Sequence, residues 1–275
     1  MTYPRQSWRL LITPPSPGAW NMAVDDALLE AVEHEESLPC LRLYAWQPPC
    51  LSIGYAQPWK DIDLPRLLAR HWDWVRRPTG GRAILHTDEL TYSVIAPITD
   101  PRMQGGVLES YQRLSLALLA ALRSLDLPAE SHLLAAHGDD RDTAAVCFEV
   151  PSNYEIVIQG KKIIGSAQAR RKHAVLQHGS FPLWGDLTRI TDVLSFPDDQ
   201  ARKDAATRLL SHAATAELIL GRRPAWDAVV HAFASSFQSE LHLELIDSGL
   251  SRSELDRAQA LVNEKYCHPA WLERL

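Results

Sequence analysis

The sequence predicts an α+β fold in which mixed β-sheets are flanked by helices, with a helical C-terminal part. Strand-like segments dominate between about residues 8 and 185, whereas helical periodicity dominates from about residue 187 to residue 275. Strands that come first and helices that come later are typical of the α+β class. No internal repeat or low-complexity linker interrupts the chain, so we expect residues 1–275 to form a single domain.

The N-terminal half contains short runs of alternating or continuous apolar residues between turn-forming residues, the pattern of strands. These predicted strands cover residues 8–12, 40–46, 51–54, 74–76, 83–85 and 90–96. Between the first two, apolar residues recur at helical spacing; Asn21 is the candidate N-cap of that helix, and Asp25 and Asp26 suit its first turns. Two further helices are predicted at residues 62–72 and 108–125.

The C-terminal half begins with a hairpin and ends in helices. Gln159, Gly160 and Lys161 form a turn signal between predicted strands at residues 154–158 and 162–167. A further strand is predicted at residues 174–176. Helical spacing then marks residues 201–213, 225–240 and 253–266.

Composition excludes several functional classes. The chain has 28 Lys and Arg against 34 Asp and Glu, a formal net charge of −6, so no global positive field attracts nucleic acid. The most apolar helical stretch, near residues 114–122, is far shorter than the roughly 20 residues that span a bilayer. The N-terminus has no signal-peptide core, and the four cysteines form no CxxC pair. We therefore expect a cytoplasmic protein that binds neither nucleic acid nor a membrane.

A glycine-containing loop is the first candidate for chemistry. Residues 76–82 read Arg-Arg-Pro-Thr-Gly-Gly-Arg between two predicted strands. Paired glycines allow backbone N–H groups to approach a ligand, and the arginines supply charge for a phosphate or a polarised carbonyl. The same residues also fit a tight hairpin with solvated arginines. Neither a GxxxxGK[ST] nor a GxGxxG motif occurs in the chain.

Four further residues could take part in catalysis. Lys162 precedes a run of small residues on a predicted strand; it either points inward as a base or a carbonyl-polarising cation, or extends to solvent. Cys147 is the candidate nucleophile, since a cation such as Lys162 would favour its thiolate, although most cysteines are small buried apolar residues. His86 and His178 lie at the ends of predicted strands. Each could take part in the chemistry or could serve only to stabilise the fold. Their spacing fits no metal-binding motif, so no metal is expected.

Four stretches together resemble the lipoate-protein ligase and octanoyltransferase family, whose catalytic domain is related to that of biotin protein ligase. They are NMAVD at residues 21–25, LSIGYAQ at 51–57, RRPTGGRAILH at 76–86, and KIIGSA at 162–167 continuing to QHGS at 177–180. ATP-dependent ligases of this family usually show RRxSGGGAVFHD, whereas this chain has Arg82 in place of the third glycine. The chain therefore resembles the cysteine-dependent octanoyltransferase branch.

The resemblance implies that residues 1–275 form one acyltransferase catalytic domain and that no cofactor is needed. Cys147 would attack octanoyl-acyl carrier protein to form a thioester, with Lys162 assisting, and the ε-amine of a lysine on a lipoyl-domain protein would then accept the octanoyl group. The acceptor would be the glycine cleavage H protein or the E2 subunit of a 2-oxoacid dehydrogenase. The substrate-binding residues implied are Arg76, Arg77, Thr79, Gly80, Gly81, Arg82, His86, Gly165, Ser166, Ala167, His178 and Gly179.

Three other functions remain open from the sequence. An ATP-dependent lipoate ligase would use the glycine loop and Lys162 to hold an acyl-adenylate, and Cys147 would then be incidental. An octanoyl amidotransferase would move the acyl group between lipoyl domains. A non-catalytic protein of the same fold would only bind lipoyl domains or acyl chains. For all of them we take a monomer as the expected state.

Overall fold

The structure is a computed structural model, and it describes residues 3–133 and 154–275. The strands are β1 (Gln6–Ile12), β2 (Cys40–Tyr44), β3 (Cys50–Ile53), β4 (Asp73–Arg76), β5 (Ile84–His86), β6 (Glu89–Pro97), β7 (Glu130–Leu133), β8 (Tyr154–Ile158), β9 (Lys161–Arg170), β10 (Ala174–Pro182) and β11 (Leu243–Asp247). The helices are α1 (Gly18–Glu33), α2 (Leu64–Ala69), α3 (Val107–Ser124), α4 (Asp199–His212), α5 (Ala216–Leu220), α6 (Trp226–Glu240), α7 (Arg252–Leu261) and α8 (Pro269–Leu272).

Two mixed sheets organise these elements. The large sheet has eight strands in the order β11-β1-β2-β6-β10-β9-β8-β7, and the small sheet has the order β4-β3-β5. In the large sheet β1 pairs in parallel with both β2 and β11, whereas β6, β10 and β9 form antiparallel pairs. In the small sheet β3 is parallel to β4 and antiparallel to β5. The mixed sheets predicted from the sequence are therefore present.

Helices cover both faces of the large sheet. Neighbouring residues of a strand point to opposite faces, and Val94 and Ile95 of β6 accordingly belong to different core clusters. The Val94 cluster packs α3 and α6 on one face, and the Ile95 cluster packs α1 and α7 on the other. A third cluster lies under the small sheet, where Leu51 and Ile53 meet α2 and α4. The small sheet thus lies beside the α1 face, where α1 also contacts β3 and β4.

Several elements differ from the predictions, among them β7, α5 and α8, which were not predicted. Helix α1 begins at Gly18 after Pro17, so Asn21 is not its N-cap; its amide instead donates to the carbonyls of Ser16 and Ala45. The C-terminal part is helical as predicted, except that β11 inserts a strand there. The strand was missed because its backbone partner is β1, at the other end of the chain. No helix within the described ranges is both long and apolar enough to cross a membrane.

A buried ion pair joins α1 to β2. Arg42 and Asp25 are both fully buried, and Arg42 Nη1 donates to Asp25 Oδ1 at 2.7 Å. Arg42 Nη2 donates to Asn21 Oδ1 at 2.7 Å, and its guanidinium lies 3.8 Å from the centre of the Tyr44 ring. Burial alone would raise the pKa of Asp25, but the Arg42 charge and further hydrogen-bond donors lower it below its ordinary value. Asp25 and Asp26 therefore serve tertiary contacts, and neither lies in the first turn of the helix.

Removing the charge from this pair is expected to destabilise the whole protein. The Arg42→Met substitution leaves a buried carboxylate without its cation, which costs about 3–5 kcal/mol of unfolding free energy. Arg252→Met is the matched control, because the Arg252–Asp256 pair is solvent-exposed and should contribute under about 1 kcal/mol. Urea unfolding of the three proteins measures both values. Equal losses for the two variants would contradict the role assigned to Arg42.

Candidate active site

A cavity of about 300 Å³ lies between the α1 face of the large sheet and the small sheet. Met22 of α1, Tyr44 of β2 and Ser180 of β10 contribute to one part of its wall, and Ser52 and Ile84 of the small sheet contribute to another. Eleven of the residues predicted to form the site line this cavity. They are Arg77, Gly80, Gly81, Arg82, His86, Lys162, Gly165, Ser166, Ala167, His178 and Gly179.

Arg76 and Thr79 are brought close to the cavity without lining it. Arg76 is fully buried, and its guanidinium donates to the carbonyls of Gly54, Gln57 and Leu272 at 2.6–3.0 Å. It therefore joins the C-terminal segment to the loop after β3. Thr79 is buried against His178, whose Nε2 lies 2.6 Å from Thr79 Oγ1. Both residues support the wall of the site, and the substrate contacts that the resemblance implies for them stay a prediction.

Arg77 holds the glycine loop together. Its guanidinium donates to the carbonyls of Gly80 at 2.8 Å, Arg82 at 2.8 Å and Ser52 at 3.1 Å. Like Arg76, it is buried. The alternative of a tight hairpin with solvated arginines is therefore wrong about these two arginines, and it is wrong about the hairpin as well, because β3 lies between β4 and β5 in the small sheet. A guanidinium that satisfies carbonyls of its own loop fixes the positions of the Gly80 and Gly81 backbones.

The loop after β3 passes against the glycine loop with no room for a side chain. A Cβ atom on Gly54 would lie 1.9 Å from the carbonyl oxygen of Gly81. Gly81 itself has φ of 92°, a conformation that favours glycine. The two glycines thus allow residues 51–57 and 76–86, two of the motifs that carry the family resemblance, to form one wall of the cavity.

A methyl group at position 54 is expected to displace the glycine loop. The clash of Gly54→Ala is with backbone, which cannot rotate away, and overpacking of this kind costs about 1–3 kcal/mol. Because the displaced loop lines the cavity, the activity that uses the cavity should fall further than stability does. Gly249→Ala is the control, since its Cβ would meet no atom within 4 Å. Activity and melting temperature measured together test this, and normal activity in Gly54→Ala would contradict it.

Lys162 points into the structure and is paired. Its side chain is 4% exposed, and Nζ lies 2.9 Å from Glu155 Oε1. Of the two alternatives left by the sequence, the structure shows the inward one: Lys162 does not extend to solvent. The ion pair with Glu155 holds Nζ of Lys162 at the cavity wall. Cys147, the predicted nucleophile, lies outside the described residues.

A hydrogen-bonded series of carboxylate, imidazole and hydroxyl forms part of the wall. His86 Nδ1 lies 2.7 Å from Glu89 Oε1, and His86 Nε2 lies 2.8 Å from Ser52 Oγ. The carboxylate also accepts hydrogen bonds from Thr91 and Ser180. Burial alone would raise the pKa of Glu89, but His86 and the two hydroxyl groups lower it below its ordinary value. Glu89 is therefore a carboxylate that accepts from His86 Nδ1–H, and in the tautomer that this bond selects, Nε2 accepts from the Ser52 hydroxyl.

A second series of side chains, Asp25, His178 and Thr79, ends at the glycine loop. His178 Nδ1 lies 3.6 Å from Asp25 Oδ2, too far for a hydrogen bond, and has no other partner within the described residues. Its Nε2 meets Thr79 of the glycine loop. Burial lowers the pKa of His178 despite the opposing effect of Asp25. His178 is therefore neutral at neutral pH.

Sequence reasoning assigned no role to several residues of the wall. Trp46 stacks on His86 at 4.0 Å between ring centres and donates to Thr91 Oγ1 at 2.7 Å. Met22 and Ser52 also line the cavity, as do Tyr44 and Thr91. Met22 and Ser52 lie inside the motifs NMAVD and LSIGYAQ, which could have identified them. No three His, Cys, Asp or Glu side chains converge as metal ligands in residues 3–133 and 154–275.

Comparison with known proteins places this site in a family. The family model of the lipoyl protein ligase A/B catalytic domain matches residues 17–238. The chain belongs to this family. The chain is also similar to two curated proteins named octanoyltransferase LipM. The one from Kyrpidia tusciae is 41% identical over 270 residues that cover 97% of this chain and 98% of the relative, and the one from Moorella thermoacetica is 41% identical over 274 residues that cover 98% and 99%.

The fold agrees with this assignment. A solved bipartite lipoate protein ligase from Thermoplasma acidophilum superposes with a TM-score of 0.81 at 25% sequence identity, over 98% of both chains. The family and the α+β fold class predicted from the sequence are thus confirmed. In this chain the cavity lies between the two mixed sheets.

Proposed function

We propose that this protein is an octanoyltransferase that moves an octanoyl group from octanoyl-acyl carrier protein to the ε-amine of a lysine on a lipoyl-domain protein. The observation that carries the proposal is the buried Lys162 ammonium on the wall of a cavity built from the family motifs. The full-length similarity to two octanoyltransferases supports the same activity. The reaction is the one expected from the sequence.

The cavity suits an acyl chain. Met22, Trp46 and Ile84 supply apolar surface, and Gly165 and Ala167 leave space beside Lys162. Each buried CH₂ group of the chain contributes about 0.8 kcal/mol of binding free energy, so the depth of the apolar part affects which chain lengths bind.

The proposed chemistry has two half-reactions. The Cys147 thiolate attacks the carbonyl carbon of the donor thioester, a C–S bond to the enzyme forms, and the carrier thiolate leaves. The lysine amine then attacks the enzyme thioester, a C–N bond forms, and the Cys147 thiolate leaves with loss of one proton from nitrogen. The Lys162 ammonium stabilises the thiolate in both steps. Backbone N–H groups near Gly80 and Gly81 polarise the acyl carbonyl.

An ATP-dependent lipoate ligase is the second candidate, since the fold is shared with a lipoate protein ligase. In that reaction the acyl group arrives as a free acid and is activated as an adenylate. Arg82, in place of the third glycine of the ligase pattern, favours the transferase. Donor requirements separate the two functions, because a thioester donor is already activated.

Intact-protein mass spectrometry tests the proposal. The protein is mixed with octanoyl-acyl carrier protein without ATP, and in parallel with octanoate and ATP or with an octanoylated lipoyl domain. We expect a hydroxylamine-labile octanoyl adduct in the first mixture, and octanoyl-lysine once the glycine cleavage H protein or an E2 lipoyl domain is added. Transfer only from octanoate and ATP would establish the ligase, and transfer only from an octanoylated lipoyl domain would establish the amidotransferase.

The remaining expectations form part of the same proposal. The whole chain acts as one catalytic domain, which is supported by the position of β11: this strand of the C-terminal part pairs with β1 in the large sheet. The enzyme works as a monomer in the cytoplasm, and neither half-reaction requires a cofactor.

A further inference from the structure

The second half-reaction of the proposed function needs a base. An amide nitrogen carries one proton fewer than the attacking amine, so a nearby group has to accept that proton. The ionisable side chains on the described part of the cavity wall are Tyr44, Arg77, Arg82, His86, Lys162 and His178. Arginine does not give up its proton, a phenol is not a base until it ionises, and the pKa of Tyr44 is raised well above its ordinary value by burial and by Asp25. The Lys162 ammonium is held by Glu155.

The two histidines that remain differ in their geometry. His86 is held at both nitrogens, with Glu89 Oε1 at 2.7 Å and Ser52 Oγ at 2.8 Å. His178 lies 3.6 Å from Asp25, and its pKa is lowered by burial. A carboxylate bonded to Nδ1 stabilises the imidazolium that forms when Nε2 takes a proton, as in hydrolytic triads. His86 meets this condition and His178 does not.

We propose that His86 is the general base of acyl transfer to lysine, that Ser52 relays the proton to it, and that Glu89 is the positioning residue that orients the ring. This inference rests on the proposed function. As the C–N bond forms and the C–S bond of the enzyme thioester breaks, the nitrogen gives its proton to Ser52 Oγ. The Ser52 hydroxyl gives its own proton to His86 Nε2, and the imidazolium later releases it to water.

The surroundings of Ser52 suit a relay. A hydroxyl has one proton to donate and two lone pairs to accept with. With His86 Nδ1–H donated to Glu89, the Ser52 hydroxyl donates to Nε2, 2.8 Å away, and one of its lone pairs accepts from Arg77 Nη1 at 3.1 Å. The charge of Arg77 favours loss of the hydroxyl proton. The Trp46 ring, stacked on His86 at 4.0 Å, keeps the imidazole plane in place.

The two half-reactions differ in their need for a base. Attack by an existing thiolate on the donor thioester removes no proton from the nucleophile, so it needs no base. Attack by the amine does need one. Loss of His86 is therefore expected to slow the second half-reaction by about 100-fold, the lower end of the usual contribution of a general base, while the first stays within about 3-fold.

The test measures each half-reaction under single-turnover conditions. Adduct formation from octanoyl-acyl carrier protein is followed by intact mass, and the isolated acyl-enzyme is then mixed with a lipoyl domain to follow octanoyl-lysine. His86→Gln, Glu89→Gln and Ser52→Ala should each form the adduct normally and transfer it slowly. Imidazole added to the acyl-enzyme of His86→Ala should restore part of the rate. His231→Gln, an exposed histidine on α6, is the control and should match wild type.

Each outcome decides the question. Wild-type transfer in His86→Gln overturns the role of His86 and leaves the proposed function intact. An equal loss in both half-reactions also overturns it, because a merely structural residue would act that way. If His86→Gln does not fold, Ser52→Ala decides: wild-type transfer in that variant overturns the relay. A wild-type protein that forms no adduct overturns the proposed function itself, and this inference with it.

Discussion

Substituting Cys147 with alanine is expected to abolish both the octanoyl adduct and transfer to lysine. Alanine has no thiol on which a thioester can form, and loss of a nucleophile of this kind lowers activity by roughly 10⁴-fold or more. The other cysteines offer no substitute. Cys40 and Cys50 are fully buried, and burial raises the pKa of Cys40 to about 12 and that of Cys50 well above its ordinary value. Intact mass and octanoyl-lysine formation provide the two readouts.

Cys267→Ala is the matched control for this prediction. Cys267 lies between α7 and α8, does not line the described cavity and is exposed overall, while partial desolvation and the charge of Asp73 raise the pKa of its thiol. This variant should form the adduct and transfer it at the wild-type rate. An adduct that persists in Cys147→Ala and disappears in Cys267→Ala would move the nucleophile to Cys267. Persistent transfer in both variants would rule out the covalent route.

Replacing Lys162 with glutamine is expected to lower adduct formation by about 10²–10⁴-fold, because the neutral amide cannot stabilise a thiolate. The same substitution leaves Glu155 buried without its ammonium partner, 2.9 Å away in the wild type. Removing one partner of a buried ion pair costs about 3–5 kcal/mol of unfolding free energy. A single variant therefore mixes a chemical effect with a structural one.

The double variant Lys162→Gln/Glu155→Gln separates the two effects. Two neutral amides can hydrogen-bond to each other with no net charge, so the melting temperature should return toward the wild-type value while activity stays lost. Lys162→Arg, which keeps the charge, provides a further comparison. If the double variant recovers both stability and activity, Lys162 has a structural role and the ammonium takes no part in the chemistry.

The strands and helices of this chain were largely predictable from local patterns. The alternation at residues 40–46 and the helical spacing at 108–125 match β2 and α3 closely. Strand β10 extends further than predicted, from Ala174 to Pro182, because polar and small residues such as Gln177 and Gly179 continue it. Their strand conformation depends on pairing with β6 and β9 on either side. Local sequence propensity does not include such partners, so it does not predict this extension of the strand.

The candidate site was predictable as a set of residues and less so as a set of roles. Arg76 and Arg77 are adjacent in the sequence and chemically identical, yet one anchors the C-terminal segment and the other closes the glycine loop. Asp25 and Asp26 suited the start of a helix on charge alone. In the structure Asp25 pairs with Arg42, and Asp26 accepts hydrogen bonds from Lys265 and Tyr266.

The sequence by itself determined the family, the fold class and the kinds of residue that the chemistry uses, because these depend on motifs that are read locally and in order along the chain. Tertiary structure alone decided which of those residues meet. Ser52 contacts His86 only because β3 pairs with β5, and Lys162 meets Glu155 because β8 and β9 form a hairpin. Hydrogen bonds extend over only about 3 Å, so the role of each side chain depends on neighbours that the folded sheets bring together.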